Sequence, residues 1–69
     1  MRNKIGKKIR IERLKRELSQ EELAFSAGVN RNTIGFIERG EQSPTFDTME
    51  AIATAFGMTV QDLCNFDNI

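Results

Sequence analysis

The sequence of 69 residues has no histidine and no tyrosine, one cysteine and one proline. A lone cysteine, Cys64, excludes an internal disulfide and a zinc site built from cysteines. Without histidine, that thiol has no imidazole to act as its base, and the carboxylates form no recognisable acid/base or metal-binding pattern. No glycine-rich phosphate-binding loop is present either. We therefore expect neither an enzyme nor a protein that holds a metal or a cofactor.

Long apolar segments are also absent. No run approaches the roughly 20 residues needed to span a bilayer, and the basic N-terminus is not followed by the apolar segment of a signal peptide. The length allows a single domain, residues 1–69, with a thin core. Because so small a chain has no disulfide, we expect a cytoplasmic protein without a membrane partner, which gains stability by dimerisation.

A net charge is missing as well, since the formal charge is zero, and this at first argues against nucleic acid as a partner. The zero is a cancellation. Residues 1–17 carry eight cationic and two anionic side chains, which gives +6, whereas residues 18–69 carry two and eight, which gives −6. The two later cations are Arg31 and Arg39. A basic segment like the first is either a solvated face or a surface for an anionic partner.

Capping residues and glycines divide the chain into five short helices, and no strand alternation competes with them, so we predict an all-α fold. Helix 1 is expected over about residues 5–17. Its apolar residues form two groups on opposite sides, Ile5 with Ile9 and Ile11 with Leu14, and the sequence does not settle which group faces the core. The predicted N-caps of helices 2 to 5 are Ser19, Asn30, Thr45 and Thr59.

Helices 2 and 3 have the features of a steeply crossing pair. Three residues join them, and Gly28 among these permits the positive φ that a tight turn requires. Ala24 is small where helix 3 must approach, and Ile34 and Ile37 supply an apolar face for helix 3. These features predict a helix-turn-helix unit, the alternative being an ordinary pair of helices inside a small bundle.

Several sequence runs carry a resemblance to a known family: LSQEELA at 18–24, AGV at 27–29, RNTI at 31–34, IERG at 37–40, SPT at 43–45 and IATAFG at 52–57. They resemble the lambda-repressor-like (Cro/CI-type, XRE-like) helix-turn-helix family over about residues 5–64. The resemblance implies a compact five-helix DNA-binding domain with its helix-turn-helix at about 19–39. It also implies that helix 3 lies in the major groove and that a dimer reads a two-fold site.

The predicted base-reading residues lie on helix 3. With Ile34 and Ile37 facing inward, Arg31, Asn32, Gly35 and Phe36 face outward. Arginine pairs with guanine and asparagine with adenine, so we predict Arg31 and Asn32 as the main readers, although such residues also commonly face solvent. Gly35 weakens a helix, which suggests close approach by DNA. Phe36 then meets a thymine methyl group or a partner surface.

Phosphate contacts are expected around the same helix. The start of helix 2 presents free amides and Gln20 outward, which favours an anion. Thr33 is expected to contact a phosphate or a base edge, and Asn30 belongs to the same predicted phosphate set as Gln20. The resemblance adds Arg39, Gln42, Ser43 and Arg16 to this set. It also implies a structural ion pair between Arg13 and Glu38. The chain departs from the family at Glu12, where an apolar residue is common, and at Glu17, where glycine is common.

We therefore expect a sequence-specific transcriptional regulator that binds double-stranded DNA, namely a homodimeric repressor without a ligand-binding domain. The alternatives are an antitoxin or restriction-modification controller acting on its own promoter, and a protein-interaction module with the same fold. The candidates for the dimer surface are apolar residues that could equally pack in the core or along the tail: Leu14, Phe46, Val60, Leu63, Phe66 and Ile69.

Overall fold

A computed structural model describes residues 2–67 and residue 69, and this part of the chain contains five helices and no strand. The helices are α1 (Arg2–Lys15), α2 (Gln20–Ala27), α3 (Arg31–Glu38), α4 (Phe46–Phe56) and α5 (Val60–Leu63). The predicted all-α, five-helix fold is thus confirmed.

Local side-chain bonds set the helix boundaries where the sequence predicts them. The Ser19 hydroxyl accepts a hydrogen bond from the Glu22 amide at 2.9 Å, and the Glu22 carboxylate accepts one from the Ser19 amide at 2.8 Å. Thr59 and Asp62 form the same reciprocal pair at α5, and the side chains of Asn30 and Thr45 cap α3 and α4 by accepting from the amides of Asn32 and Thr48. All four predicted N-caps are confirmed, because capping depends only on neighbours in the sequence.

The end of helix 1 differs from the prediction, since α1 stops at Lys15 and not at Glu17. The amides of Arg16 and Leu18 both donate to the Arg13 carbonyl at 3.1 Å, and Glu17 adopts a φ of 55°. Such a left-handed conformation costs a residue with a Cβ about 1–2 kcal/mol. This turn directs the chain sharply from α1 into α2, and it explains why a glycine is favoured at this position.

The core settles which face of α1 is buried. Ile5 and Ile9 are buried among the other helices, whereas Ile11 and Leu14 are 36% and 52% exposed. The remaining core side chains are Leu23, Ala24, Ile34, Ile37, Ile52, Ala53, Phe56 and Leu63. Leu63 is completely buried, so its prediction as a dimer-surface residue is wrong: it packs with the core side chains of the other helices.

A glycine allows α1 to pack closely against the helix-turn-helix. Gly6 is buried, and a Cβ at this position would overlap the carbonyl oxygen of Ile37 near the end of α3. The backbones of α1 and α3 therefore approach at a distance that only glycine permits. This contact fixes the C-terminal half of α3 against the rest of the domain.

The unusual Glu12 is a buried carboxylate surrounded by cations. Its side chain accepts a hydrogen bond from Arg16 at 2.8 Å and lies 3.3 Å from Lys8 and 3.6 Å from Lys15. The hydrogen bond from Arg16 is the main reason that the pKa of Glu12 is lowered, in spite of its burial. Arg16 also donates to the carbonyl of Phe56 at 2.9 Å. Glu12 and Arg16 together join α1 to the C-terminus of α4.

Candidate nucleic-acid interface

The ion pair that the family resemblance implies is present and holds α3 in place. Arg13 donates from Nε to Oε2 of Glu38 at 2.7 Å and from Nη2 to Oε1 at 3.0 Å. Its third nitrogen donates to the carbonyl of Leu18 at 2.7 Å. The hydrogen bond that the guanidinium donates to Glu38 raises the pKa of Arg13. One buried arginine therefore ties together the end of α1, the turn before α2 and the end of α3.

Gln20, at the start of α2, extends this network. Its amide nitrogen donates to Oε1 of Glu38 at 3.1 Å, and the side chain is half-buried. The prediction that Gln20 points freely outward thus needs correction, since Glu38 draws its side chain toward α3. With this bond, both helices of the helix-turn-helix are joined through one carboxylate.

A groove of about 660 Å³ lies between α2 and α3, open to solvent and lined by mixed polar and charged groups. It contains all four predicted base-reading residues, together with Gln20 and Arg39 from the predicted phosphate set. The full lining is Arg13, Ser19, Gln20, Glu21, Arg31, Asn32, Gly35, Phe36 and Arg39. The fold thus assembles in one place residues that the sequence spreads over 27 positions, from Arg13 to Arg39.

Arg31 and Asn32 lie at the exposed N-terminus of α3. The Arg31 side chain is 67% exposed, and its Nη1 lies 3.1 Å from Oε2 of Glu21. Asn30 uses its side-chain oxygen to cap the amide of Asn32 at 2.8 Å, so only its amide nitrogen is left to donate to DNA. Thr33 is half-buried on the same turn.

Gly35 and Phe36 occupy the middle of the groove in different ways. Gly35 is buried beneath the protein's own side chains: a Cβ there would lie 2.9 Å from Nη1 of Arg39 and 3.5 Å from the Gln20 oxygen. Gly35 is therefore not an outward-facing position in the free domain, contrary to the prediction, because the Arg39 side chain lies over it. Phe36 is 41% exposed, and the Arg39 guanidinium stacks 5.2 Å from its ring centre.

The remaining predicted phosphate contacts lie outside this groove. Gln42 and Ser43 are exposed in the loop after α3. Arg16 lies at the junction of α1 and α4, where its terminal nitrogens bind Glu12 and Phe56. In the free domain the guanidinium of Arg16 therefore has a structural role at this junction.

We did not predict a role for two exposed residues of α2 at this surface, Glu21 and Phe25. Glu21 pairs with Arg31, yet ten positions separate them and no short-range pattern joins an acid in α2 to a base in α3. Phe25 is 88% exposed on α2 and borders a second, shallower groove. The helical period could have revealed Phe25, since it falls off the face formed by Leu23, Ala24 and Ala27.

The other predicted dimer residues divide by exposure. Leu14 on α1 and Phe46 at the start of α4 are 52% and 61% exposed. Phe46 and Val60 also line one groove of about 420 Å³ along α4 and the start of α5. Phe66 and Ile69 are half-buried in the C-terminal segment.

Among the described residues, no helix has the length and apolar character required to cross a membrane.

Comparison with known proteins reveals similar chains in bacteria and phage. The chain is 42% identical over 65 residues to control protein C.BamHI of Bacillus amyloliquefaciens. The aligned region covers 93% of this chain and 80% of that protein. It is 43% identical over 56 residues to the cryptic phage CTXphi transcriptional repressor RstR of Vibrio cholerae, which covers 81% of this chain. The chain spans about half of RstR, 50% of its length.

Solved structures show the same architecture. The crystal structure of the restriction-modification controller protein C.AhdI from Aeromonas hydrophila matches with a TM-score of 0.85 and 34% identity, over 88% of this chain and 92% of that one. The sequence profile of the helix-turn-helix family HTH_3 matches residues 9–63, which include α2, α3 and the groove between them. Fold, groove and sequence agree, and the chain belongs to the helix-turn-helix family HTH_3.

Proposed function

We propose that this protein is a sequence-specific DNA-binding transcriptional regulator that places α3 in the major groove. The observation that carries this proposal is the groove between α2 and α3, in which exposed Arg31 and Asn32 stand on a helix held by the Arg13–Glu38 ion pair. We further propose that residues 1–69 act as one domain in the cytoplasm, where the DNA partner lies.

The chemistry of the groove suits base recognition. A guanidinium can donate two parallel bonds to guanine and a carboxamide can pair with adenine, each worth about 1–3 kcal/mol of discrimination. We assign to Arg39, which stacks on the Phe36 ring, a phosphate contact at the edge of the groove. The exposed amides at the start of α2 and the polar loop after α3 suit further backbone contacts, from Gln20, Asn30, Thr33, Gln42 and Ser43.

A homodimer would present two copies of α3 to successive major grooves, about 34 Å apart. The exposed ring of Phe46 and the adjoining Val60 groove favour α4 and α5 as the dimer surface. A Phe46→Asp variant is expected to sediment as a monomer at concentrations where the wild type sediments as a dimer. The matched control is Phe25→Asp, which replaces an exposed ring of α2 with the same charged side chain and is expected to leave the dimer intact. If Phe46→Asp sediments like the wild type, the dimer surface lies elsewhere.

Two regulatory roles are compatible with this DNA-binding activity. A repressor is favoured by the 43% identity to RstR, of which the chain spans half. A restriction-modification controller that acts on its own promoter is favoured by the likeness to C.BamHI and C.AhdI, which it matches over 80% and 92% of their lengths. Footprinting on the DNA upstream of the protein's own gene separates the two, since only self-regulation requires protection there.

The central test is in vitro selection of bound duplexes from a random pool. We expect an enriched two-fold site with half-sites roughly one DNA turn apart. Arg31→Ala should relax the preference at one base pair of each half-site, whereas Arg39→Ala should weaken binding to all sequences alike. Arg10→Ala, an exposed change on α1, is the control. No enrichment, or binding that is insensitive to salt, would contradict the proposal and favour a protein-interaction module.

A further inference from the structure

We propose that Glu21 is a positioning residue for Arg31: its carboxylate orients the guanidinium toward the edge of a base and keeps it away from the DNA backbone. The proposal rests on the function proposed above and adds a specificity-determining residue to it. Glu21 would act through Arg31 and would not itself need to touch a base.

The geometry places the two side chains side by side at the mouth of the groove. Glu21 lies in the first turn of α2, Arg31 is the first residue of α3, and Oε2 of Glu21 accepts a bond from Nη1 of Arg31 at 3.1 Å. Both line the main groove, and both also line the adjoining one beside Asn30 and Asn32. Glu21 thus stands next to the segment of α3 that carries the predicted base readers.

The pair leaves the guanidinium able to read a base. A guanidinium has five N–H donors in a fixed fork, and the bond to Glu21 occupies one of its nitrogens. The remaining donors can still make two bonds to guanine. Because arginine has many rotamers in solution, a partner that restricts them before binding reduces the entropy lost on contact.

The environment decides how strong this restriction is. In the free protein the side chains of Glu21 and Arg31 are 73% and 67% exposed, and an exposed ion pair of this kind contributes little to stability. When base pairs enter the groove they displace water, the local dielectric constant falls, and the same contact becomes stronger. The pair is therefore weak in the free domain and effective at the interface.

The negative charge has a second consequence, which acts on non-specific DNA. A carboxylate next to Arg31 repels phosphates, so it disfavours arrangements in which the guanidinium swings to the backbone. Removal of this charge should therefore improve binding to unrelated sequences while it weakens the preference for the selected one. A general change in net charge would instead strengthen binding to the selected sequence and to unrelated sequences alike. This difference makes the proposal testable.

The experiment compares Glu21→Gln with Glu22→Gln, which removes the same charge one residue further along α2. Glu22 belongs to the capping box with Ser19, and glutamine can keep that role. Fluorescence anisotropy would measure the Kd for the duplex selected by the wild type and for a scrambled duplex of equal length. We expect Glu21→Gln to lower the ratio of the two affinities about five-fold or more, the size expected for a misplaced base contact. Glu22→Gln should change the ratio by less than about two-fold.

A double substitution separates positioning from all other effects. In an Arg31→Ala background there is no guanidinium to orient, so Glu21→Gln should leave the remaining ratio unchanged. Melting curves of each variant check the fold, which we expect to persist because Glu21 is exposed. A Glu21→Gln ratio equal to that of Glu22→Gln overturns the role of Glu21 alone, and the wild-type preference then still supports the proposed function. A wild type without any sequence preference overturns both proposals.

Discussion

The first helix and the groove between α2 and α3 both contain arginines, and they use them in opposite ways. On α1 and just after it, Lys8, Lys15 and Arg16 surround the buried Glu12, and Arg13 is paired with Glu38. In the groove, Arg31 and Arg39 are more than half exposed and meet exposed carboxylates. Half of the eight cations in the most basic segment thus pair with buried carboxylates, and the candidate interface depends on two arginines. Charge density along a sequence does not by itself locate a DNA-binding surface.

The largest effect should come from breaking the structural side of this comparison. Arg13→Ala leaves Glu38 buried without its cation, and loss of one partner from a buried ion pair costs about 3–5 kcal/mol. For a domain of this size that is a large part of the free energy of unfolding. Urea denaturation followed by circular dichroism measures the loss. Arg10→Ala, an exposed change on the same helix, should stay within about 0.5 kcal/mol of the wild type. Equal stability of the two variants would contradict a structural role for Arg13.

A smaller effect is expected at Glu12, and it depends on pH. Because the pKa of Glu12 is lowered in the folded protein, its contribution is complete above the ordinary carboxyl range and is lost as the pH falls through the lowered pKa. Glu12→Gln should cost about 1–2 kcal/mol at pH 7, since glutamine keeps the shape and one acceptor oxygen but loses the charge that strengthens the bond from Arg16. Thermal melting at a series of pH values checks this: the melting temperatures of Glu12→Gln and the wild type should converge as the pH falls toward 3.

The control for this pH profile is the exposed Glu22, whose pKa is lowered by the bond from the Ser19 backbone amide. Glu22 is exposed and glutamine can serve the capping box, so the melting temperature of Glu22→Gln should fall less at pH 7 than that of Glu12→Gln. If Glu12→Gln and the wild type differ by the same amount at pH 7 and pH 3, the cluster around Glu12 is not linked to its ionisation.

The sequence predicts best those features that depend on near neighbours. Ser19, Asn30, Thr45 and Thr59 each bond to an amide two or three residues ahead, so their roles are legible in the one-letter code. The inner face of helix 3 was equally accessible, because Ile34 and Ile37 follow the helical period. The family resemblance added the Arg13–Glu38 pair, which joins residues 25 positions apart and which no local rule indicates.

The sequence predicts worst the residues whose surroundings depend on tertiary packing or on how a neighbouring side chain folds. Arg16 is basic and close to the helix-turn-helix in sequence, yet α4 ends beside it and offers the Phe56 carbonyl. Leu63 is the last residue of the short capped helix α5 and could have been exposed, but it packs into the core. Gly35 invites an explanation from DNA, whereas Arg39 one turn later folds back over it. Packing between helices decides the first two cases, and a side chain one helical turn away decides the third.

The smallest predicted effect tests this reading of Gly35 against the other helical glycine, Gly6. A Cβ at Gly35 would lie 2.9 Å from the tip of the Arg39 side chain, which can swing aside. Alanine should therefore leave stability unchanged or raise it by up to about 1 kcal/mol, through its better helix propensity. At Gly6 the Cβ would meet the Ile37 carbonyl oxygen, which belongs to the backbone, so Gly6→Ala should destabilise by about 1–3 kcal/mol.

Thermal melting of both alanine variants, together with their affinity for the selected duplex, distinguishes packing from recognition at these two sites. If Gly35 makes room only for Arg39, Gly35→Ala should melt at or slightly above the wild-type temperature and bind all duplexes more weakly, because the displaced guanidinium leaves the Phe36 ring. A loss of stability as large as that of Gly6→Ala would show that the Arg39 side chain is fixed over Gly35. The groove would then be as rigidly packed as α1. This result would contradict the contrast between structural arginines around α1 and exposed, movable arginines in the groove.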